Sequence, residues 1–210
     1  MCSQIHIHCP GTGREQIRCC DIWSEGVSVE RGIECSRDVS KTKVIAVTFL
    51  ADCMLGKLAR WLRILGYDTV YDNFAEDDDL LRIAETDGRI LLTRDRPLVD
   101  RATERESISC IYIDDLRLED QIAQLVVDVS LNLTRPTFTR CLECNVSILQ
   151  VSPEAVKQVV PPRVFQTQTT FYKCRSCERV YWSGSHTDRM NARLADIREA
   201  IQRRREVVDA

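Results

Sequence analysis

The sequence predicts an α/β fold: a mostly parallel sheet flanked by helices, then a small cysteine-bearing module, then a C-terminal helix. Three observations carry that expectation. Short apolar runs alternate with helical patterns in the order β-α-β-α-β-α-β-α across residues 44–135, which implies parallel strands joined by right-handed crossovers. Every run ends in acid, at Asp52, at Asp72, at Asp95, and at Asp114 with Asp115. Beyond the last helical pattern come two Cys-x2-Cys pairs, Cys141 with Cys144 and Cys174 with Cys177.

The first run, Val44 to Ala51, is rich in β-branched residues and has the length of a buried strand. Leu55, Leu58, Leu62 and Leu65 then recur at threes and fours, one face of a helix that Gly66 should end. Thr69-Val70-Tyr71 reads as the second strand. The acidic run Glu76 to Asp79 opens a helix with Leu80, Ile83 and Ala84 inward. Acids in a first turn are favoured by the helix dipole, typically by about 0.3–1 kcal/mol. Arg89 to Arg94 forms the third strand and Pro97 to Arg105 its helix. Ile108 to Ile113 forms the fourth, followed by a helix over Leu118 to Leu131. The four acidic tips then share the carboxyl edge of the sheet, where open α/β folds bind ligands. Asp52 and Asp95 can also N-cap the helices that follow them. Capping alone does not require acid at every tip, because Ser, Thr or Asn would serve.

Composition sets limits. In 210 residues, 44% are hydrophobic and 29% charged, enough for a real core. No apolar run nears the roughly 20 residues of a membrane helix. The first residues have no basic stretch leading into an apolar one, so a cytoplasmic, reducing setting is expected. There the eleven cysteines serve as metal ligands or free thiols. The net charge of −3 hides a split: residues 45–135 carry 18 acids against 11 bases, while the stretches 136–188 and 189–210 are each mildly basic. An acidic cleft suits divalent cations, and a basic remainder suits a polyanion. Residues 1–43 show no sustained period, and their cysteines lack zinc-finger spacing. They are expected to form a disordered extension outside the fold.

A phosphoaspartyl enzyme of the haloacid dehalogenase type would want a second Asp two residues after Asp52, where Met54 stands. Gly56 is alone, so no phosphate-cradling glycine loop exists there. Instead, Phe49 to Thr69, headed by Leu50-Ala51-Asp52-Cys53-Met54-Leu55-Gly56-Lys57, resembles the opening of the Mut7-C ribonuclease domain family. Ile90-Leu91-Leu92-Thr93-Arg94-Asp95-Arg96 resembles that family's second signature. The resemblance spans about residues 46–188 and implies a PIN-like nuclease fold joined to a C-terminal zinc ribbon. It also implies a divalent-metal nuclease. By position, Asp52 and Asp95 become metal-binding and catalytic acids, and Asp78 or Asp79 the acid that opens the second helix. Asp100, Asp114 and Asp115 are candidates for a fourth. Mg²⁺ or Mn²⁺ would be the catalytic ion. Lys57, Arg60, Arg94 and Arg96 flank the signature acids and could hold phosphates.

The two cysteine pairs, 29 residues apart, match a closed four-thiolate structural Zn²⁺ site. Residues 136–187 thus form the expected zinc ribbon. Its spacer should carry a helix over Glu154 to Val160 that breaks at Pro161-Pro162. Tyr172, Tyr181 and Trp182 pack the small core or stack on bases. His186 is expected to contact RNA or to pack, in preference to direct catalysis. Residues 188–210 read as one helix, with Met190, Leu194, Ile197 and Ile201 inward and Arg203, Arg204 and Arg205 available to phosphate. The function so expected is a metal-dependent ribonuclease whose ribbon helps to grip RNA. The alternative is a non-catalytic RNA-binding module, acting on tRNA or linked to the ribosome.

Overall fold

The computed structural model describes residues 47–183 and 185–208. The extension over residues 1–43, and Val44 to Ala46 of the expected first strand, lie outside the described residues.

Four short parallel strands form the main sheet: β1 (Thr48–Ala51), β2 (Asp68–Tyr71), β3 (Ile90–Thr93) and β4 (Cys110–Tyr112), in the order β2-β1-β3-β4. Side chains alternate across it, as the pleat requires. Phe49, Ala51 and Leu92 face one layer, made of α1 (Gly56–Ile64), α4 (Leu118–Asp128) and α6 (Ser185–Val208). Leu50 and Leu91 face the other, made of α2 (Asp77–Asp87) and α3 (Arg96–Thr103). Both faces are covered, so the strands read as continuous apolar runs.

The end of α1 follows from one glycine. Gly66 takes φ +83°, and its N–H reaches the Arg63 carbonyl at 3.1 Å while the Tyr67 N–H reaches that of Leu62 at 2.8 Å. This pair of bonds is a Schellman stop. A Cβ at Gly66 would also lie 2.8 Å from the Pro136 carbonyl oxygen, so only glycine fits both the turn and the chain crossing it.

The second sheet is antiparallel, with β5 (Ile148–Val151), β6 (Phe171–Cys174) and β7 (Val180–Trp182) in sequence order. Phe171, Val156 and Val160 form its small core. The helix expected over Glu154 to Val160 is absent. A 3₁₀ turn covers Pro153–Val156, and the α-helix, α5 (Pro162–Thr167), starts where the sequence pattern placed the break. The reason is that proline lacks an N–H but has a helical φ, so Pro162 opens a helix at no cost. Residues 157–160 form a turn and a bend between the 3₁₀ turn and α5.

The C-terminal helix starts three residues earlier than expected, at Ser185. Ile197, Ala200 and Ile201 are buried in the layer with α1 and α4. Two of the arginines expected to meet phosphate meet acids instead: Arg204 lies 2.5 Å from Asp115, and Arg203 lies 3.8 Å from Asp120. Arg193 pairs with the buried Glu119 at 2.7 Å. Among the described residues, no helix is long and apolar enough to cross a membrane.

Candidate functional site

Connections leave β1 and β3 on opposite faces: α1 follows β1 onto one layer and α3 follows β3 onto the other. The carboxyl ends of these neighbours therefore border a crevice at the topological switch point. Asp52 and Asp95 stand there. Both stand at N-cap positions with the extended backbone such positions take (ψ 158° and 112°), Asp52 before a short 3₁₀ turn and Asp95 before α3, but neither side chain makes a cap hydrogen bond. The Asp52 carboxylate is engaged by Thr93 instead of by a helix N–H. The buried Thr93 hydroxyl donates to Asp52 Oδ2 at 2.8 Å and accepts the Asp95 N–H at 2.9 Å. The Asp52 N–H meanwhile bonds the Leu92 carbonyl at 3.0 Å. Asp52 is thus held in one rotamer at 5% exposure. Among the described residues, no lysine or arginine pairs with Asp52, Asp95 or Asp114. A hydrogen bond to the Asp52 carboxylate, with some burial, raises the pKa of the neighbouring Cys53 thiol.

The acids that open α2 have arginine partners. Asp78 and Asp77 both pair with Arg101, and Asp79 pairs with Arg82 at 2.8 Å, all in the first turn of α2. Among the described residues, no three carboxylates have oxygens within 4.8 Å of one another. Asp115 is taken by Arg204, while its carbonyl accepts Arg94 Nη1 at 3.1 Å. Arg96 lies over the Tyr112 ring, 4.4 Å from its centre. Arg60 pairs with Glu143 at 3.4 Å. Lys57 is exposed in the first turn of α1. His186 falls in the first turn of α6, and its side chain lies outside the described residues.

Cys141, Cys144, Cys174 and Cys177 do converge, with all four sulfurs within 4.8 Å of one another. Cys141 and Cys177 are 3.6 Å apart, far beyond a disulfide and close to the roughly 3.8 Å edge of a tetrahedron with Zn–S of about 2.3 Å. Backbone N–H groups of Cys144, Ser176 and Cys177 point at the Cys141 and Cys174 sulfurs. Burial would push the Cys141 thiol up, but the Tyr181 hydroxyl at 3.1 Å and backbone N–H groups bring it down to about 6. Such a donor set could hold zinc as thiolates. Each knuckle closes through a left-handed residue, Asn145 (φ 63°) and Glu178 (φ 61°), whose N–H returns to the first cysteine's carbonyl.

Sequence reasoning missed what joins this centre to the sheet. Arg63 is only 6% exposed. Its Nη1 donates to the Leu142 and Glu143 carbonyls at 2.7 and 3.0 Å, inside the first knuckle, and its Nε to Thr69 at 3.0 Å. Asn145 completes the joint, accepting the Thr69 N–H and donating to Asp68, both within 3.0 Å. Helical spacing put Arg63 on the flank of α1 without showing that flank to be covered. Between α1 and the second sheet lies a cavity of about 500 Å³, lined by Arg60, Trp61, Phe138, Tyr172, Trp182 and Met190 among others.

A family model described as the Mut7-C RNAse domain matches residues 47–194. The human protein Exonuclease mut-7 homolog is 29% identical over 119 residues, covering 55% of this chain but 14% of that protein. No solved structure matches this chain. These likenesses support a nuclease role.

Proposed function

The chain belongs to the Mut7-C RNAse domain family, and from that premise we propose that it is a divalent-metal-dependent ribonuclease of PIN-like fold, cutting RNA at the crevice between β1 and β3. One observation carries the reading: Asp52 is buried, makes no cap hydrogen bond, has no counter-charge among the described residues, and is aimed by Thr93. A buried carboxylate with a hydroxyl partner but no counter-charge is a natural seat for a cation, which would supply the missing charge. Oxygen donors of this kind fit Mg²⁺ or Mn²⁺. Such an ion supplies a water of lowered pKa and a clamp on the scissile phosphate.

The chain's own groups do the rest. Asp52 and Asp95 provide the anionic seat, and Thr93 keeps the two at fixed separation. Asp78 and Asp79 add negative field at the head of α2, tempered by Arg101 and Arg82. Lys57, Arg94 and Arg96 hold flanking phosphates. The zinc ribbon stiffens the far end of α1 through Arg63, and Arg60 and the cavity aromatics help grip the RNA there. His186 serves RNA contact. A non-catalytic RNA-binding module has no use for a buried, uncompensated acid at its phosphate-facing edge, where it would repel the ligand.

The test incubates purified protein with mixed cellular RNA in Mg²⁺, in Mn²⁺ and in EDTA. Cleavage should need the metal and vanish in Asp52→Asn. Equal cleavage in EDTA by nuclease-free protein would overturn the proposal.

A further inference from the structure

Most large apolar side chains here are buried; five of the exposed ones lie in residues 146–182, and the other three, Met54, Phe74 and Leu116, include the two most exposed. Among the described residues, Phe74 is 88% exposed, Leu116 81%, Val159 67% and Met54 66%. Three of these four stand on the carboxyl edge of the main sheet. Met54 follows β1, Phe74 follows β2 and Leu116 follows β4. Acids follow all four strands, Asp52 and Asp95 at the inner tips, and the outer tips add Phe74 and Leu116 beside Asp72 and Asp115. Apolar groups therefore flank the acidic crevice on both sides. Neighbouring strands are about 4.8 Å apart, so the outer tips of this four-stranded sheet lie about 14 Å apart.

The loops that hold these residues out are themselves tied down. The Asp72 carboxylate accepts the Phe74 N–H at 2.9 Å. The Tyr71 hydroxyl lies 3.1 Å from both the Cys53 carbonyl and Asn73 Oδ1, joining the Phe74 loop to the turn that bears Met54. Tyr71 can sit there only because residue 56 is glycine: a Cβ would come within 2.7 Å of its hydroxyl oxygen. On the other flank, the Asp115 carbonyl accepts both Arg94 and Gln121, and its carboxylate accepts Arg204, which fixes the backbone next to Leu116. Both flanks are thus rigid mounts for projecting apolar side chains.

We infer that Phe74, with Met54 beside it and Leu116 opposite, forms a base-stacking rim that admits an unpaired RNA strand to the acidic crevice and rejects a duplex. This rests on the nuclease reading and deepens it. A single strand can lay its phosphate between the flanks and stack a base face on Phe74, with Met54 and Leu116 adding apolar contact but no stacking plane. In a duplex those faces are stacked internally and the phosphates lie outermost, so the rim meets charge where it offers apolar surface. The geometry also explains how an acidic edge retains a polyanion: stacking supplies attraction that does not depend on charge.

The test uses a short fluorescently labelled single-stranded RNA of mixed sequence, and the same strand annealed to its complement, with full-length protein in Ca²⁺. Fluorescence anisotropy should show tighter binding of the single strand. Phe74→Ala should weaken it about five- to hundredfold, the range for losing one base–aromatic stack. Phe74→Trp should restore affinity and Phe74→Leu should not, while all three melt like the parent. Equal binding of strand and duplex, or unaltered affinity in Phe74→Ala, overturns the rim. So does a parent that self-associates through this face, shown by Phe74→Ala becoming monomeric with RNA binding unchanged. A parent that binds with this Phe74 dependence but never cleaves in Mg²⁺ sustains the rim and sinks the nuclease reading. A parent that cleaves with no Phe74 dependence does the reverse.

Discussion

Replacing Asp52 with Asn separates a catalytic carboxylate from a structural one. Asn keeps the size, and its Oδ1 can still accept the Thr93 hydroxyl, which now stands 2.8 Å away. What is lost on that bond is its charge assistance, about 1 kcal/mol. Against this, the amide relieves the burial of a charge that no lysine or arginine among the described residues offsets. Stability should therefore move by less than about 1 kcal/mol in either direction, or about 2–4 °C in Tm for a chain of this length. Metal-dependent cleavage should fall at least about a thousandfold, equal to about 4 kcal/mol of barrier. Thr93→Val should order the two effects oppositely. It leaves the Asp95 N–H without an acceptor and costs about 1–3 kcal/mol, yet it retains both carboxylates and part of the activity. Urea titrations and initial rates at saturating Mg²⁺ read both quantities on the same preparations. The reasoning is falsified if Asp52→Asn cleaves at near-normal rate, or if it unfolds more easily than Thr93→Val.

The remaining predictions concern the second centre and its joint to the sheet. The parent should carry one zinc per chain by elemental analysis, and Cys174→Ser should carry none and lose the β5–β7 sheet by circular dichroism; stoichiometric zinc in the variant refutes the ligand assignment. Arg63→Met removes three hydrogen bonds to buried or half-buried carbonyls and should cost about 3 kcal/mol or more in urea unfolding; a loss under about 1 kcal/mol would show the joint to be incidental. Asp68 should make the joint acid-labile. Burial pushes its carboxyl up, but Arg89 at 2.6 Å, Asn145 and Arg140 outweigh this and hold it below the usual range. Its stabilisation is then complete above the unfolded value of about 3.9 and lost as pH falls through the lower folded one. The stability gap between parent and Asp68→Asn should close below about pH 4, and a gap that persists unchanged there contradicts the pairing.

The order of strands and helices, the stop at Gly66, the inward face of the last helix and the two cysteine knuckles were all legible in the sequence. Each is set by residues within a turn or two of one another, through periodicity, dipoles or a required φ. The family resemblance also rested on local strings and was met by the family match over residues 47–194. Local pattern misled at Glu154 to Val160, where a helix was expected but a 3₁₀ turn ends at Val156 and the α-helix begins only at Pro162. It misled again at Arg203 and Arg204, whose basic run looked free for phosphate but meets acids of α4 and the loop before it. Tertiary structure alone decided what Asp52 does. The sequence offered a helix cap; the partner actually taken, Thr93, lies 41 positions away and arrives only because β3 pairs beside β1. Arg63 reaches the first cysteine knuckle across 79 positions for the same kind of reason. Capping and periodicity are properties of a segment, whereas the partner of a buried charge is fixed by which segments the hydrophobic core brings side by side.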